Sequence, residues 1–346
     1  MPGIDALYST LNNIIIKVRR LTRTPSTAQL TDADIIAYIN TFILYDFPQH
    51  IKLFSQRELF TFYTSPYVDT YETNTTNPNN VFYNFHNRYV NIYPPVYIAG
   101  YLTQFTQSRE QFYGLYPQTF SIQLIGVGDG VTTNFTGTIP NLSSSPQGAC
   151  IIRNNVLFDS IDVNGNGLSL IDLPVNATTG NLVAPGTTGP SLGTINYLTG
   201  AYNVTFSTAP GSGQNINNQV LIQTLSRPLT ILYFDNKFIV RPVPDQPYKV
   251  TLECLVRPTE LLLGSQEPEI AQWWQYIAYG AAKKIFEDRM DVDSVAMILP
   301  EFKKQELLVL RSTVEQLSNE RVATIYTEQI SGSYNGYGFG NGGGNM

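Results

Sequence analysis

The first fifty residues place hydrophobic side chains at helical spacing. The opening stripe alternates spacings of three and four and consists of Ile4, Leu7, Leu11, Ile14, Val18 and Leu21. This alternation gives a helix one apolar face, and Pro25 ends the helix. Thr31 and Asp34 then resemble a capping box, and a further apolar stripe stops at Pro48. The pattern predicts two short N-terminal helices.

The C-terminal sixth repeats this periodicity. Its first stripe follows Pro268, a residue that the first turn of a helix tolerates, and consists of Ile270, Trp274, Ile277, Ala281 and Ile285. The neighbouring face carries the small residues Ala278, Gly280 and Ala282, which would let another helix approach closely. A break at Asp291 precedes a second stripe, which consists of Leu307, Leu310, Val314 and Leu317. We expect this helical hairpin to complete one bundle with the N-terminal helices.

Between the helical ends the pattern changes to strands. Residues 51–95 are aromatic and irregular, and a helix is predicted over residues 103–117, where Phe105 and Phe112 lie seven residues apart on one face. From residue 120 to about 226, short apolar alternations are separated by Gly, Asn, Thr and Ser, which is typical of an all-β domain. A short inserted β-sandwich is the simplest interpretation.

Turn residues predict where strands pair in this middle region. Asp129-Gly130 predicts a hairpin between its flanking strands, and the stretch from Asn196 to Gly200 predicts another. Asp235-Asn236 marks a third turn, between two of the long strands that follow the inserted domain.

Together these elements predict an α+β fold. It consists of a helical bundle formed by the N- and C-terminal helices, a β-rich region and an inserted all-β, sandwich-like domain. The predicted boundaries are 1–119 for the N-terminal part of the core, 120–226 for the insertion, 227–330 for the C-terminal part of the core, and 331–346 for a flexible tail rich in tyrosine and glycine.

The composition points to assembly more than to catalysis. Only 14% of the residues are charged, against about 25% in an average soluble protein. A net charge of −6 gives no clustered basic surface for clamping nucleic acid. Cys150 and Cys254 lie far apart in sequence and form no CxxC or Cys/His cluster, so neither a disulfide framework nor a structural zinc site is expected.

Candidate chemistry is sparse. Asp162 to Gly167 reads DVNGNG and imitates the start of a calcium loop, but position twelve falls on Leu173 and lacks the bidentate carboxylate. A turn stabilised by its own Asp and Gly residues competes with that interpretation. His50 and His86 have no nucleophile or carboxylate arrangement nearby in sequence. We therefore expect no catalytic residues, no cofactor and no metal ligands.

The candidate interface residues fall into three groups. Four basic residues crowd the end of the first helix, namely Lys17, Arg19, Arg20 and Arg23. They either complement the helix dipole or contact DNA or an acidic partner. Trp273 and Trp274 point about 100° apart on a helix, so one is expected in the core and the other at its edge or against a neighbouring subunit; an aromatic ligand platform is the alternative.

The last group lies in the tail. Its aromatic residues, Tyr334, Tyr337 and Phe339, are spaced by glycines without apolar periodicity. They are either part of a disordered segment or aromatic anchors with which one chain docks into a groove of another.

Four stretches have a distinctive amino-acid sequence. They read RRLTRTPSTAQLTDADIIAYINTFILYDFP, YPPVYIAGYLTQFTQSREQFYGLYP, FDNKFIVRPVPDQPYKVTLECLVRPTELL, and WWQYIAYGAAKKIFEDRMDVDSVAMILPEFKKQE with NERVATIYTEQ. In these stretches the chain resembles the head-to-tail adaptor, or neck ring, proteins of tailed bacteriophages, a group related to the tail tubular proteins. None of the stretches is a catalytic motif. The inserted β domain departs from the smallest members of that group.

The resemblance implies a structural virion protein in the neck of the phage. Such proteins form a ring, usually a dodecamer, that joins the portal to the tail nozzle or other neck proteins and lines the channel through which double-stranded DNA is ejected. An acidic wall suits that passage because it repels the phosphates of DNA. The chain has no secretory signal pattern and no long apolar stretch, so synthesis in the host cytoplasm and no membrane are expected.

A second interpretation belongs to a different class of protein. The β domain and the many tyrosines would also suit a receptor- or carbohydrate-binding module of a tail or fibre. The apolar stripes at both chain ends argue against it, because fibre proteins usually trimerise along β-repeats or coiled coils.

Overall fold

The structure, a computed structural model, describes residues 8–140, 142 and 148–311. The chain divides into two units. The helical unit takes in Met1–Glu58, Asn87–Asn91 and Cys254–Met346, and the β unit takes in Leu59–His86 and Ile92–Glu253. The fold mixes helices and strands, is rich in strands and contains two large curled sheets. This confirms the coarse prediction of a mixed fold.

The helices within the described residues are α1 (Leu11–Thr22), α2 (Asp32–Thr41), α3 (Phe47–His50), α4 (Phe85–Arg88), α5 (Arg109–Leu115), α6 (Trp274–Asp288) and α7 (residues 292–311). Side-chain caps mark the start of α2, α5 and α7, but not of α1, α3 or α6. A π-helical turn, Phe42–Asp46, joins α2 to α3, and 3₁₀ turns lie at Phe54–Gln56 and Ala271–Trp273.

The predicted capping box of α2 is confirmed. The Thr31 side chain accepts a hydrogen bond from the Asp34 backbone N–H at 3.1 Å, and the Thr31 N–H donates to the Asp34 carboxylate at 3.2 Å. Two backbone groups that would lack partners at the helix start are thereby satisfied. The sequence also placed the break before α7 correctly, because Asp291 accepts from the Ser294 N–H at 3.0 Å.

One apolar core runs through the helical unit. It joins residues of α1, α2 and the π-helical turn to residues of α6 and α7, including Leu11, Ile14, Ile35, Phe42, Ile277, Ala281, Phe302 and Val309. The narrow face of α6 is confirmed: a side chain at Gly280 would overlap the ring of Phe42. Phe42 instead makes an edge contact with Tyr276, with ring centroids 5.2 Å apart.

Strands make up two sheets. They are β1 (Arg57–Tyr63), β2 (Thr70–Glu72), β3 (Tyr89–Ile98), β4 (Tyr101–Thr106), β5 (Phe120–Val127), β6 (Asn134–Thr138), β7 (Ala149–Ile161), β8 (Gly167–Pro174), β9 (Thr179–Val183), β10 (Gly193–Asn196), β11 (Ala201–Thr205), β12 (Asn215–Thr224), β13 (Thr230–Phe234), β14 (Lys237–Arg241) and β15 (Lys249–Val256). The seven-stranded sheet has the order β1-β15-β3-β4-β13-β14-β2.

The second sheet takes all its strands from residues 120–224. Its order is β5-β12-β7-β8-β9-β10-β11-β6. The sequence predicted a sandwich, and that arrangement is not confirmed, because the eight strands form one hydrogen-bonded sheet. Its buried face carries Phe158, Leu170, Ile195, Val204 and Val220.

Two of the three predicted turns join paired strands. Asp235 and Asn236 both have positive φ angles, and they connect the antiparallel strands β13 and β14. The second turn, Asn196 to Gly200, connects β10 and β11. The third prediction is wrong: the strands on either side of Asp129-Gly130 are β5 and β6, which pair with β12 and β11 and stand at opposite ends of the sheet order.

The helix predicted over residues 103–117 is only partly correct. Phe105 lies in β4, where it pairs with Ile231 of β13, and α5 begins at Arg109 after the cap residue Ser108. Pairing with a strand far away in sequence overrides the local helical spacing. No helix among the described residues is both long enough and apolar enough to cross a membrane.

Candidate functional site

The basic cluster at the end of α1 divides into packed and exposed residues. Arg19 bonds to groups of its own chain: its guanidinium contacts the Asp32 carboxylate at 2.6 Å and donates to the Leu30 carbonyl at 2.9 Å. Only 12% of its side chain is exposed. Arg19 therefore stabilises the connection between α1 and α2, a role that the sequence did not reveal.

The other three basic residues differ from Arg19. The ammonium of Lys17 lies 5.5 Å from the ring centroid of Tyr279 on α6, a cation–π distance. Arg20 and Arg23 are exposed, and Arg23 adopts the left-handed conformation that ends α1. The cluster therefore leaves two guanidinium groups at the surface. Their contact with DNA or protein stays a prediction.

Beside Arg23 lies a cavity of about 490 Å³, which we call the arginine cavity. Its walls come from α1, α6, α7 and the turn between α6 and α7, and the lining residues are Leu21, Thr22, Arg23, Tyr279, Phe286, Arg289, Asp291, Ser294, Met297, Ile298 and Glu301. The walls thus combine large apolar side chains with two arginines and two carboxylates.

The carboxylates of the arginine cavity already have partners. Asp291 caps α7, and the hydrogen bonds from Ser294 lower its pKa. Glu301 accepts from Gln305 at 3.0 Å and lies 3.6 Å from the Lys304 ammonium. By contrast, the guanidinium groups of Arg23 and Arg289 make no ion pair or hydrogen bond with the described residues. The lining therefore carries two arginines and two carboxylates beside its apolar side chains, and its formal charges balance.

A second surface feature lies at the opposite end of α1. The loop of residues 259–268, which we call the leucine loop, exposes 65% of Leu262 and 68% of Leu263. The preceding residue, Leu261, is fully buried, and both of its backbone groups bond to the Asn40 side-chain amide, at 2.8 and 2.9 Å. Three successive leucines are the signal that the sequence offers for this surface, and the predictions from sequence missed it.

The leucine loop is held rigidly. The Gln266 side-chain oxygen accepts from the backbone N–H groups of Leu262 and Leu263 at 2.9 and 3.3 Å. In turn, the carbonyls of Gln266 and Gly264 accept from the first N–H groups of α1, at 2.9 and 3.0 Å. The loop therefore caps α1 while it presents two leucines to solvent.

No family model and no curated protein matches the chain.

The tryptophan pair lies where α6 begins. Trp273 ends the 3₁₀ turn and Trp274 starts the helix, and both are half-buried against the core of the helical unit. The Trp273 indole N–H is buried without a hydrogen-bond partner among the described residues. Such a group usually finds a partner. The tail residues Tyr334, Tyr337 and Phe339 lie outside the described residues.

A smaller cavity, of about 210 Å³, contains His50. Its charges largely neutralise one another, since Lys284 pairs with Asp46 at 2.6 Å and Lys283 with Glu287 at 3.2 Å. The Lys284–Asp46 pair joins α6 to the π-helical turn, whereas the Lys283–Glu287 pair lies within α6.

The resemblance of Asp162 to Gly167 to a calcium loop has a structural explanation. Asp162 accepts from the backbone N–H groups of Asn164 and Asn166 at 2.7 and 2.8 Å, as in an Asx turn. Asp172, one residue before the missing ligand position, accepts from the Tyr197 hydroxyl at 2.8 Å. Among the described residues, no group of three or more His, Cys, Asp or Glu side chains is placed to hold a metal ion.

Proposed function

We propose that this chain is a structural subunit of a phage neck ring, which joins the portal to the tail and lines the DNA ejection channel. The observation that carries the proposal is the shared core of the helical unit, to which residues 11–50 and 270–311 both contribute. Because segments before and after the strands build this core together, the residues between them can form a β-rich part. This is the organisation that the resemblance to adaptor proteins implies.

The finer architecture belongs to the same proposal. The terminal helices form the bundle of the adaptor core, residues 120–226 form an inserted sandwich-like domain on the outside of the ring, and residues 331–346 form a docking tail. The ring is a dodecamer of identical subunits in contact with the portal and with tail proteins. A closed ring needs a heterologous contact, in which two different surfaces of the subunit meet.

The charges support passage of DNA rather than its capture. With a net charge of −6 the subunit repels a polyanion on average, so DNA slides through the ring without sequence-specific binding. No enzymatic activity or cofactor is part of this proposal.

Electron microscopy of the purified chain, alone and mixed with its portal, tests the ring. We expect a ring in register with the portal, built either by the free subunit or only on the portal as a template. A chain that stays monomeric in both samples and binds glycans would instead support the receptor- or carbohydrate-binding module.

A tail truncation tests the docking segment separately. Deletion of residues 331–346 should leave the circular dichroism spectrum unchanged and weaken binding to portal rings. A full-length variant with Tyr334→Ser, Tyr337→Ser and Phe339→Ser keeps the tail length and should weaken binding similarly. Portal binding that is unchanged in both variants would remove the tail from the proposal.

A further inference from the structure

We propose that the eight-stranded sheet binds an ordered water molecule, which bridges the side-chain amides of Asn218 on β12 and Gln123 on β5. The inference concerns the interior of the β unit and does not depend on the proposed function. It starts from polar atoms that are buried where apolar side chains would be expected.

Asn218 lies in the apolar core of this sheet. On β12 it alternates with Ile216 and Val220, and all three residues are fully buried. Ile216 and Val220 belong to the core cluster that also contains Phe158, the residue opposite Asn218 on β7. Because alternate residues of a strand point to the same face, the Asn218 amide is directed into this core.

Gln123 faces the same interior from the neighbouring strand. It is the cross-strand partner of Asn218 in the antiparallel pair of β5 and β12, and such partners share a face of the sheet. Its amide nitrogen donates to the Ser121 hydroxyl at 3.2 Å, whereas its amide oxygen is buried. Ile122 and Leu124, which alternate with these residues, are 66% and 59% exposed. β5 therefore turns polar residues inward and apolar residues outward, the reverse of the usual pattern.

Three buried atoms of this amide pair have no hydrogen-bond partner among the described residues. They are the oxygen and the nitrogen of the Asn218 amide and the oxygen of the Gln123 amide. A buried polar group without a partner destabilises the folded state, so native proteins satisfy such groups with protein atoms or with ordered water. The two amides do not bond to each other, and each therefore needs a further partner.

The three atoms together specify the chemistry of that partner. The two oxygens require donors, and the Asn218 nitrogen requires an acceptor. A cation has no lone pair to offer the nitrogen, and an alcohol hydroxyl has only one hydrogen to donate. Water donates two hydrogen bonds and accepts as well, and a buried water typically makes about three. One water molecule therefore satisfies all three atoms.

The bridging water also accounts for the register of β5. A shift of one residue would bury Ile122 and Leu124 and would turn Gln123 to the outer face. Burial of apolar surface alone favours that shift. However, the shift would leave the Asn218 amide beside apolar side chains, without the polar neighbour that holds the water. The hydrated amide pair therefore favours the observed pairing of Asn218 with Gln123.

Magnetic relaxation dispersion of the water signal, which counts long-lived internal water molecules, tests the site in solution. The Asn218→Leu variant of the full chain should hold fewer such molecules than the wild type. Gln219→Leu is the matched control, because residue 219 follows on β12 and points to the opposite face. The control should keep the wild-type number. An Asn218→Leu variant that also keeps it would overturn the proposal.

Urea denaturation provides a second measurement, whose sign separates a hydrated site from a dry one. With the water present, Asn218→Leu and Gln123→Leu each leave a polar atom unpaired and should lower the folding equilibrium constant on the order of tenfold. The double variant should lose less than the product of the two single losses. In a dry site each substitution removes unpaired atoms, so a rise in both single variants would contradict the water.

A crystal structure of the wild-type chain decides the question if the variants do not fold. We expect a water molecule within about 3.2 Å of all three amide atoms. A direct hydrogen bond between Asn218 and Gln123, or amides with no water between them, would reject the site.

Discussion

The two units stabilise their interiors by different means. In the described residues all four charged side chains that are buried, Asp69, Asp162, Asp172 and Arg241, belong to the β unit. The helical unit instead relies on close apolar packing, such as the contact of Gly280 with Phe42. The β unit therefore depends on charges that must keep their partners, whereas the helical unit depends on the fit of its apolar side chains.

The largest expected effect concerns the buried ion pair of the β unit. Arg241 lies 2.6 Å from Asp69, and their side chains are 3% and 7% exposed. Arg241→Met leaves the Asp69 carboxylate buried and unpaired, which should lower the free energy of unfolding by about 3–5 kcal/mol. Urea denaturation of the full chain measures this loss.

An exposed pair on the same strand is the control. Lys237 pairs with Glu72 at 3.3 Å, with 41% and 69% of the side chains exposed. Lys237→Met should cost less than about 1 kcal/mol because water already screens that pair. Similar losses in the two variants would contradict the claim that burial makes the Arg241–Asp69 pair essential to the β unit.

The next effect concerns Asp172, which has no basic partner among the described residues. Its carboxylate accepts from Tyr197 at 2.8 Å and from the backbone of Asn154 and Val156 at 2.7 and 3.0 Å. Asp172→Asn places an amide N–H donor opposite these donors, which should lower the free energy of unfolding by about 1–3 kcal/mol. Chemical denaturation at neutral pH measures this cost.

The pH dependence of the Asp172→Asn variant checks the cause. Burial raises the pKa of Asp172 above its usual 3.8, although its hydrogen bonds act in the opposite direction. The folded state therefore favours the protonated form, whose stabilising contribution is complete below the unfolded pKa and lost as pH rises through the folded pKa. Consequently, the advantage of the wild type over the variant should decrease as pH rises.

Asp162, which also lies in the β unit, should show the opposite pH dependence of stability. Hydrogen bonds from Asn166 lower its pKa, so its contribution is present above the unfolded pKa and lost as pH falls through the folded pKa. The advantage of the wild type over Asp162→Asn should therefore decrease as pH falls. Parallel pH profiles for the two variants would show that burial does not set the pKa of Asp172.

Local chemistry explains which parts of the fold the sequence predicted. The capping box at Thr31 and Asp34 and the turn at Asp235-Asn236 were recognised because they depend on neighbouring residues. Phe105 lies in a strand because it pairs with a strand more than a hundred residues away, so its local spacing wrongly predicted a helix. Partner choice between strands is a long-range property that turn residues alone do not determine, as the strands around Asp129 illustrate.

The candidate site was predicted less completely than the fold. The basic cluster was identified by its position at the end of a helix, but the burial of Arg19 follows from the path of the next segment, which brings Asp32 to it. The arginine cavity joins residues from both chain ends, and no local pattern marks Arg289 as part of it. Nothing in the neighbouring residues separates Leu261 in the core from Leu262 at the surface.

Gly280→Ala tests the role of shape in the helical unit. Alanine favours a helix by about 1 kcal/mol over glycine, but its methyl group would overlap the Phe42 ring, and overpacking costs about 1–3 kcal/mol. We expect a net loss of roughly 1 kcal/mol in thermal or chemical unfolding. Gly114→Ala in α5, where nothing lies within 4 Å, is the control and should be neutral or slightly stabilising.

The smallest effect distinguishes two threonines that both precede helices of the helical unit. The Thr31 hydroxyl caps α2, whereas the Thr10 side chain makes no capping bond, because the leucine loop satisfies the first N–H groups of α1 instead. Thr31→Ala should therefore cost about 0.5–1 kcal/mol, and Thr10→Ala should cost almost nothing. An equal loss at Thr10 would show that its hydroxyl, and not the leucine loop alone, stabilises the start of α1.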